Sequence, residues 1–378
     1  MDPYEDIDCS LIFNGSAYEA EYLVYSTGDK VNIMFIMPIF LLVGLAGNGT
    51  FLFVTMKVPN IQTATNGYLV NLAIADILFL IFAITEKIVC LIASPLERDK
   101  SVLGIGGTVI SEMAINLSYF ASLFFITLVT VERYYAVCTP HARQDTNKTS
   151  TIKIIIAWII AGILASTLLG SVLDKNIVCI VWPDEYNYLP PYITKYHFLK
   201  PWMSIYANFL QGFLFIILFV VNTVLYFRIV YTLGDRLQLN REDYACLKRD
   251  KNMKLRNQIT RTVIINGCAF FFCLAPYEFT SIFYAISEIN NHEILDGPQR
   301  KRLQFVVRGL VYTNAIVNPI IYVCTSPRYR EAFITTVLGR RNQGDLANAN
   351  SSITQQTQGG SMRIKRTPPQ QTTQETTC

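Results

Sequence analysis

Seven apolar stretches, each long enough to cross a lipid bilayer as a helix, limit what this chain can fold into more than any other feature. They lie at about 31–57, 65–93, 104–138, 152–173, 203–231, 259–288 and 303–325, and crossing hydrocarbon takes roughly 20 apolar residues. Inside lipid the backbone finds no water, so each stretch must close its own hydrogen bonds as a helix. Only 16% of the 378 residues are charged and 51% are apolar, whereas soluble domains carry roughly a quarter charged residues. The expected fold is an all-α membrane protein, a seven-transmembrane helix bundle. No internal repeat is visible, which argues against a transporter built from duplicated halves.

Charge between the spans sets the expected orientation. Residues 1–30 are acidic and lack the basic start and apolar core of a cleavable signal. The loop after span five is basic (Arg236, Arg241, Lys248, Arg249, Lys251, Lys254, Arg256), and Arg328, Arg330, Arg340 and Arg341 follow span seven. Positive loops stay inside, so the N-terminus is expected outside and the C-terminus in the cytoplasm of a multi-pass plasma-membrane protein. Asn14-Gly15-Ser16 is then an outward glycosylation acceptor. The expected segments are an extracellular 1–30, a bundle over 31–325, a short amphipathic eighth helix over 326–339 and a disordered tail over 340–378. The stripe Tyr329, Phe333, Ile334 and Val337 supports the eighth helix.

Three sets of residues carry more specific information. Span two contains Asn71-Leu72-Ala73-Ile74-Ala75-Asp76, and a carboxylate at mid-bilayer is a functional candidate by default. Span three ends in Glu132-Arg133-Tyr134, where a costly arginine can pair with its neighbour and reach the interface. Span seven ends in Asn318-Pro319-Ile320-Ile321-Tyr322, and Pro276 interrupts span six; both prolines remove a backbone hydrogen bond and kink their helices. With Gly47-Asn48 in span one, Trp158 in span four and Tyr226 in span five, the ordered set resembles the rhodopsin-like family of G-protein-coupled receptors over about 31–338.

That resemblance implies roles for particular residues. Arg133, with Tyr226 and Tyr322 meeting it in the active state, faces the G protein. Ser122, Asn314 and Asn318 match positions that surround a sodium ion together with Asp76; a hydrated polar core without an ion is the alternative. Partners implied are a heterotrimeric G protein, a receptor kinase and arrestin acting on Ser351, Ser352, Thr354, Thr357 and Thr367, and membrane lipid at the basic loops. Pro140, His141 and Arg143 belong to the implied transducer surface.

The chain departs from the family in several places. Members usually pair a cysteine at the outer start of span three with the second outer loop, and that position is Thr108 here. The loop cysteine, Cys179, pairs with Cys90 or Cys9, or is free. Cys90 stands fourteen residues beyond Asp76, about 21 Å at helical rise, so it reaches the outer surface and is favoured. Leu274 replaces a tryptophan in span six, Leu218 replaces a proline in span five, and Arg256 stands where some members carry an acid.

Ile115 lies above Arg133 on one face of span three, where amine receptors carry an aspartate, and Tyr312 stands where opsins carry their lysine. Both subclasses are therefore disfavoured. The upper bundle is expected to hold Glu86, Glu112, Ile115, Tyr119, Gln211, Tyr277, Glu278, Arg308 and Tyr312. Acids on three spans suit a ligand with a basic group; alternatively Arg308 neutralises Glu86 or Glu112 internally. The long loop at about 174–201, rich in tyrosine, together with Trp182 and Trp202, favours a peptide ligand of neuropeptide type, although such aromatics also form membrane-interface belts. A non-peptide small molecule is the alternative ligand class, and a seven-helix channel or transporter lined by Asp76, Glu86, Glu112 and Glu278 the alternative function. His141, His197 and His292 form no triad or metal-ligand spacing and no nucleotide-binding glycine loop occurs, so neither an enzyme nor a nucleic-acid partner is expected.

Overall fold

The computed structural model describes residues 9–16, 20, 23–58, 63–97, 99–139, 147–171, 173–197, 200, 202–239, 247–290, 295 and 297–337. Its helices are α1 (Thr27–Lys57), α2 (Ala64–Ala93), α3 (Gly104–Cys138), α4 (Asn147–Thr167), α5 (Trp202–Leu239), α6 (Leu247–Ile289), α7 (Gly297–Thr325) and α8 (Pro327–Val337). Seven of them are long and apolar enough to cross a membrane, and α8 is short. The chain divides into two units, Met1–Phe333 and Ile334–Cys378; of the second only its first four residues, the end of α8, are described. The tail candidates Ser351, Ser352, Thr354, Thr357 and Thr367, the loop residues Pro140, His141 and Arg143, and the Arg256 side chain lie outside the described residues.

Local chemistry accounts for how these helices begin and bend. Ser26 caps α1 by accepting from the Asp29 amide at 3.1 Å, while Asp29 accepts from the Ser26 amide at 2.9 Å. Pro38 has no amide hydrogen to give, and the turn before it widens to a π-helical stretch over Asn32–Ile36. Gly104 opens α3 at φ 60°, a conformation that a Cβ disfavours. Helix α4 stops at Thr167, short of the 173 expected, and a 3-10 turn over Leu169–Ser171 follows. A Cβ on Gly170 would meet the end of the Met203 side chain of α5, so the turn packs closely on that helix.

The bundle core is apolar, but buried amides pin its helices together. Asn48 of α1 donates to the Ala315 carbonyl of α7 at 2.8 Å, and the Trp158 indole of α4 donates to Asn71 of α2 at 2.9 Å. Asn222 of α5 donates to Thr127 of α3 at 2.9 Å. Around these bonds pack Leu72, Phe120, Phe125, Phe215 and Phe270, all fully buried. The opposite faces of α1, α4 and α5 carry exposed Leu42, Ile159, Ile163, Val224 and Phe227, which is the pattern for a lipid-facing surface.

A three-stranded sheet, not expected from the sequence, stands at the end where α2 meets α3. Strands β2 (Asp174–Val181) and β3 (Tyr192–His197) pair antiparallel, and β1 (Leu11–Asn14) joins β2 in parallel. Trp182, expected as a contact aromatic, is buried in a small core with Leu96, Ile180 and Ile193, and its indole donates to the Pro190 carbonyl at 2.8 Å. Tyr188 and Trp202 remain exposed.

The parallel pairing of β1 with β2 also settles the disulfide. Cys9 is bonded to Cys179, with their Cα atoms 5.7 Å apart. The expected Cys90–Cys179 bond does not form, and Cys90 is free and buried near the end of α2. The extended N-terminal segment reaches the second loop first: the Ser10 amide donates to the Ile177 carbonyl at 2.9 Å, which brings the adjacent Cys9 to the strand. Thr108, standing in place of the family cysteine, returns its hydroxyl to the Gly104 carbonyl at 2.8 Å.

Candidate functional site

At the sheet-bearing end, α2, α3, α5, α6 and α7 enclose a cavity of about 280 Å³. Glu86, Glu112, Ile115, Tyr119, Gln211, Tyr277, Arg308 and Tyr312, all expected from the sequence, line it. Glu278 does not. It is fully buried beside Tyr119, whose hydroxyl lies against its carboxylate. A Cβ on Gly212 of α5 would lie 3.8 Å from the Glu278 main-chain carbonyl, so α6 packs closely on α5 here.

Lys87 and Lys100 complete the charged wall, and sequence reasoning passed over both. The Lys100 ammonium bridges Glu86 at 3.2 Å and Glu112 at 3.1 Å, so it, and not Arg308, neutralises the two acids. Its backbone also holds the sheet. The Lys100 amide donates to the Thr194 carbonyl of β3 at 3.0 Å, and Asp99 accepts from the Thr194 amide at 3.2 Å. Burial pulls the Lys100 ammonium toward lower pKa, but the carboxylates of Glu112 and Glu86 outweigh it and hold the group above the usual lysine value. Nothing in the sequence marks Lys100, a charged residue in a short loop, as an inward strut. Gln211 of α5 donates to Asn116 of α3 at 3.0 Å and fixes the far wall.

Four residues, Phe79, Tyr119, Leu274 and Val311, line both this cavity and a smaller void of about 20 Å³ beneath it. Leu274, where a tryptophan was noted as missing, thus forms part of the floor. The void is lined by Asp76, Ser122 and Asn314, as the resemblance implied. Asn318 donates to Asp76 at 2.7 Å, and Ser122 stands 3.5 Å from the other carboxylate oxygen. The side-chain oxygens of Asn314 and Asn318 are buried with no hydrogen-bond donor.

The opposite end holds the remaining motif residues. Glu132 and Arg133 are both buried, and Arg133 donates to Thr65 at the start of α2. Tyr134 packs against the buried Tyr226 and Ile229 of α5. The Tyr226 phenol oxygen lies 2.9 Å from the Thr130 hydroxyl, one turn before Arg133. Tyr322 accepts from Asn266 of α6 at 3.3 Å, and its ring meets that of Phe51 at a tilt of 42°, with centroids 4.9 Å apart. In this conformation the two phenols thus bond to Thr130 of α3 and to Asn266 of α6. Tyr329 of α8 donates to Asn66 of α2 at 2.6 Å.

Seven membrane-crossing helices, a covered polar recess at one end and a buried Glu-Arg-Tyr group at the other define a heptahelical membrane receptor. The family model described as 7 transmembrane receptor (rhodopsin family) matches residues 47–322, and the chain belongs to that family. An RYamide receptor of Tribolium castaneum is 22% identical over 339 residues, covering 88% of this chain and 86% of the relative.

Proposed function

We propose that the protein is a peptide receptor that takes its ligand at the sheet-bearing end, outside the cell, and activates a heterotrimeric G protein at the cytoplasmic end. The observation that carries this reading is the chemistry of the cavity wall: amides, phenols and charges of both signs converge in one recess. Such a surface suits a ligand dense in backbone and side-chain hydrogen-bonding groups. It lacks the aspartate of an amine site at Ile115 and the lysine of a retinal site at Tyr312. The similarity to an RYamide receptor supports a peptide ligand.

The basic segments around α6 and α8 support the stated orientation. Asn14, exposed on β1, is then an accessible glycosylation acceptor. A receptor kinase, arrestin and anionic lipid are further cytoplasmic partners in this reading.

Signal passes through contacts between helices. A ligand pressing on Leu274 or Tyr119 acts on side chains that also border the Asp76 void. Asp76 holds α7 through Asn318, the residue before the kink at Pro319, and α7 holds α6 through Tyr322 and Asn266. Release of Tyr322 and of Tyr226 frees the α6 end to swing and makes both phenols available to Arg133. The oxygens of Asp76, Ser122 and Asn314, with the orphaned amide oxygen of Asn318, fit a sodium ion, which would neutralise the carboxylate and favour the closed arrangement. Asp76 orients Asn318 in either case.

The test is nucleotide exchange on purified G protein by the receptor in lipid nanodiscs, challenged with a synthetic peptide library. Peptide-dependent exchange that Arg133→Ala abolishes while peptide binding persists is the expected result. Ion flux in liposomes without G protein, and no exchange, would sink the reading.

A further inference from the structure

The cavity between α2 and α7 has a neighbour of about 430 Å³ between α1 and α7, and the two repeat one arrangement of charge. In the first, Lys100 bridges Glu86 and Glu112. In the second, Lys301 bridges Asp29 at 2.7 Å and Glu97 at 2.9 Å. A single lysine at each rim thus engages two carboxylates, although the second Glu86 carboxylate oxygen stays buried without a hydrogen-bond partner. The remaining cations are Lys87 of α2 and Arg308 of α7, and both line both cavities. Among the described residues neither has a carboxylate within ion-pair distance. Half-buried cations without an ion-pair partner are costly, and among the described residues Glu86 and Glu97 act on Lys87 only from beyond ion-pair distance.

We infer that the ligand's anchoring group is an oxyanion, a carboxylate seated between Lys87 and Arg308. This rests on the peptide-receptor reading, and the group is then an acidic side chain or a free C-terminal carboxylate of the peptide. The guanidinium offers a planar fork that matches a carboxylate, and the ammonium adds a third charged donor. The charge preference is opposite to the one drawn from the sequence, where three acids pointed to a basic group. A basic group has to displace Lys100 from two carboxylates; an acidic one meets two cations that, among the described residues, make no ion pair. Tyr312, shared by both cavities, lies beside the same wall.

The experiment uses the full-length receptor in nanodiscs with purified G protein and a synthetic peptide library in matched sets. Each sequence is made with one acid (an Asp, or a free C-terminus), with the neutral amide in its place, and with Lys in its place. Exchange is expected from the acid set, about tenfold or more stronger than from the amide set. Arg308→Gln should shrink the advantage of acid over amide peptides by a similar factor, and Arg308→Glu should move the preference to the Lys set. Equal potency of acid and amide sets, or potency confined to the Lys set, overturns the inference and leaves the peptide reading standing. Silence from every set overturns that reading and this inference with it. Should the Arg308 variants fail to reach the membrane, the acid-against-amide comparison on the unmodified receptor decides the matter.

Discussion

Tyr226 fills the space that a side chain at Gly267 would occupy: a Cβ there would overlap the phenol oxygen. Beside it on α6, Asn266 holds Tyr322. Two consecutive α6 residues thus retain the two phenols that the resemblance assigns to the active state.

Gly267→Ala should therefore expel Tyr226 and favour the open arrangement. Overpacking of this kind costs ~1–3 kcal/mol, enough to raise ligand-free exchange by about tenfold if half of it bears on the closed state alone. Basal nucleotide exchange at matched receptor levels measures it. A basal rate equal to the parent's, in a receptor that still binds peptide, would count against the latch.

Asn266→Leu removes the bond to Tyr322 while keeping bulk. A neutral hydrogen bond contributes ~0.5–1.5 kcal/mol, so basal exchange should rise by roughly twofold to tenfold. The same assay reads this change, and a fall in basal exchange contradicts the assignment.

Lys100→Met leaves Glu86 and Glu112 facing each other without a counter-charge. The three side chains are partly exposed to different degrees, 25%, 6% and 28%, so the loss is expected at ~1–3 kcal/mol, less than a fully buried pair gives. Thermal denaturation in detergent should show a lower Tm, and adding Glu86→Gln with Glu112→Gln should restore part of it. The Lys100 value is raised above 10.5, so its contribution is complete below the ordinary lysine range and fades only as pH climbs past the raised value. The difference in Tm between parent and Lys100→Met should stay flat from neutral pH to that range.

Cys9→Ser should lower Tm, because the bond closes a loop of 170 residues and such links contribute ~2–5 kcal/mol. Cys90→Ser should leave Tm and peptide binding near the parent's. Peptide mapping without reduction checks the pairing directly, and recovery of a Cys90–Cys179 peptide would overturn it.

The bundle was legible in the sequence because lipid imposes a simple rule of length and apolarity: the α2 and α3 limits fall within a residue of expectation, while α6 and α7 begin earlier than expected, at Leu247 and Gly297. Asp76 stood out as a carboxylate at mid-bilayer, and Ser122, Asn314 and Asn318 were named through the resemblance to the family; the structure gathers them around one void and hydrogen bond. What was hidden depended on pairings between distant segments. The run Ile177-Val178-Cys179-Ile180-Val181 is rich in β-branched residues and suits a strand, a signal that the reading as a loop passed over, and nothing local says that β1 pairs with it, so the disulfide was misassigned. Lys100 shows its role only once β3 is docked on its backbone. Glu278 has the composition of a pocket residue, and only helix rotation takes it out of the lining.

The account's central claim is that helices tilt at the Arg133 end when ligand binds at the other. Spin labels at Tyr135 of α3 and Arg261 of α6, both exposed, placed in a receptor whose accessible cysteines have been replaced, test it by pulsed distance measurement. The account predicts that activating peptide together with G protein lengthens this distance, and that Gly267→Ala lengthens it in part without ligand. An unchanged distance during full nucleotide exchange would contradict it.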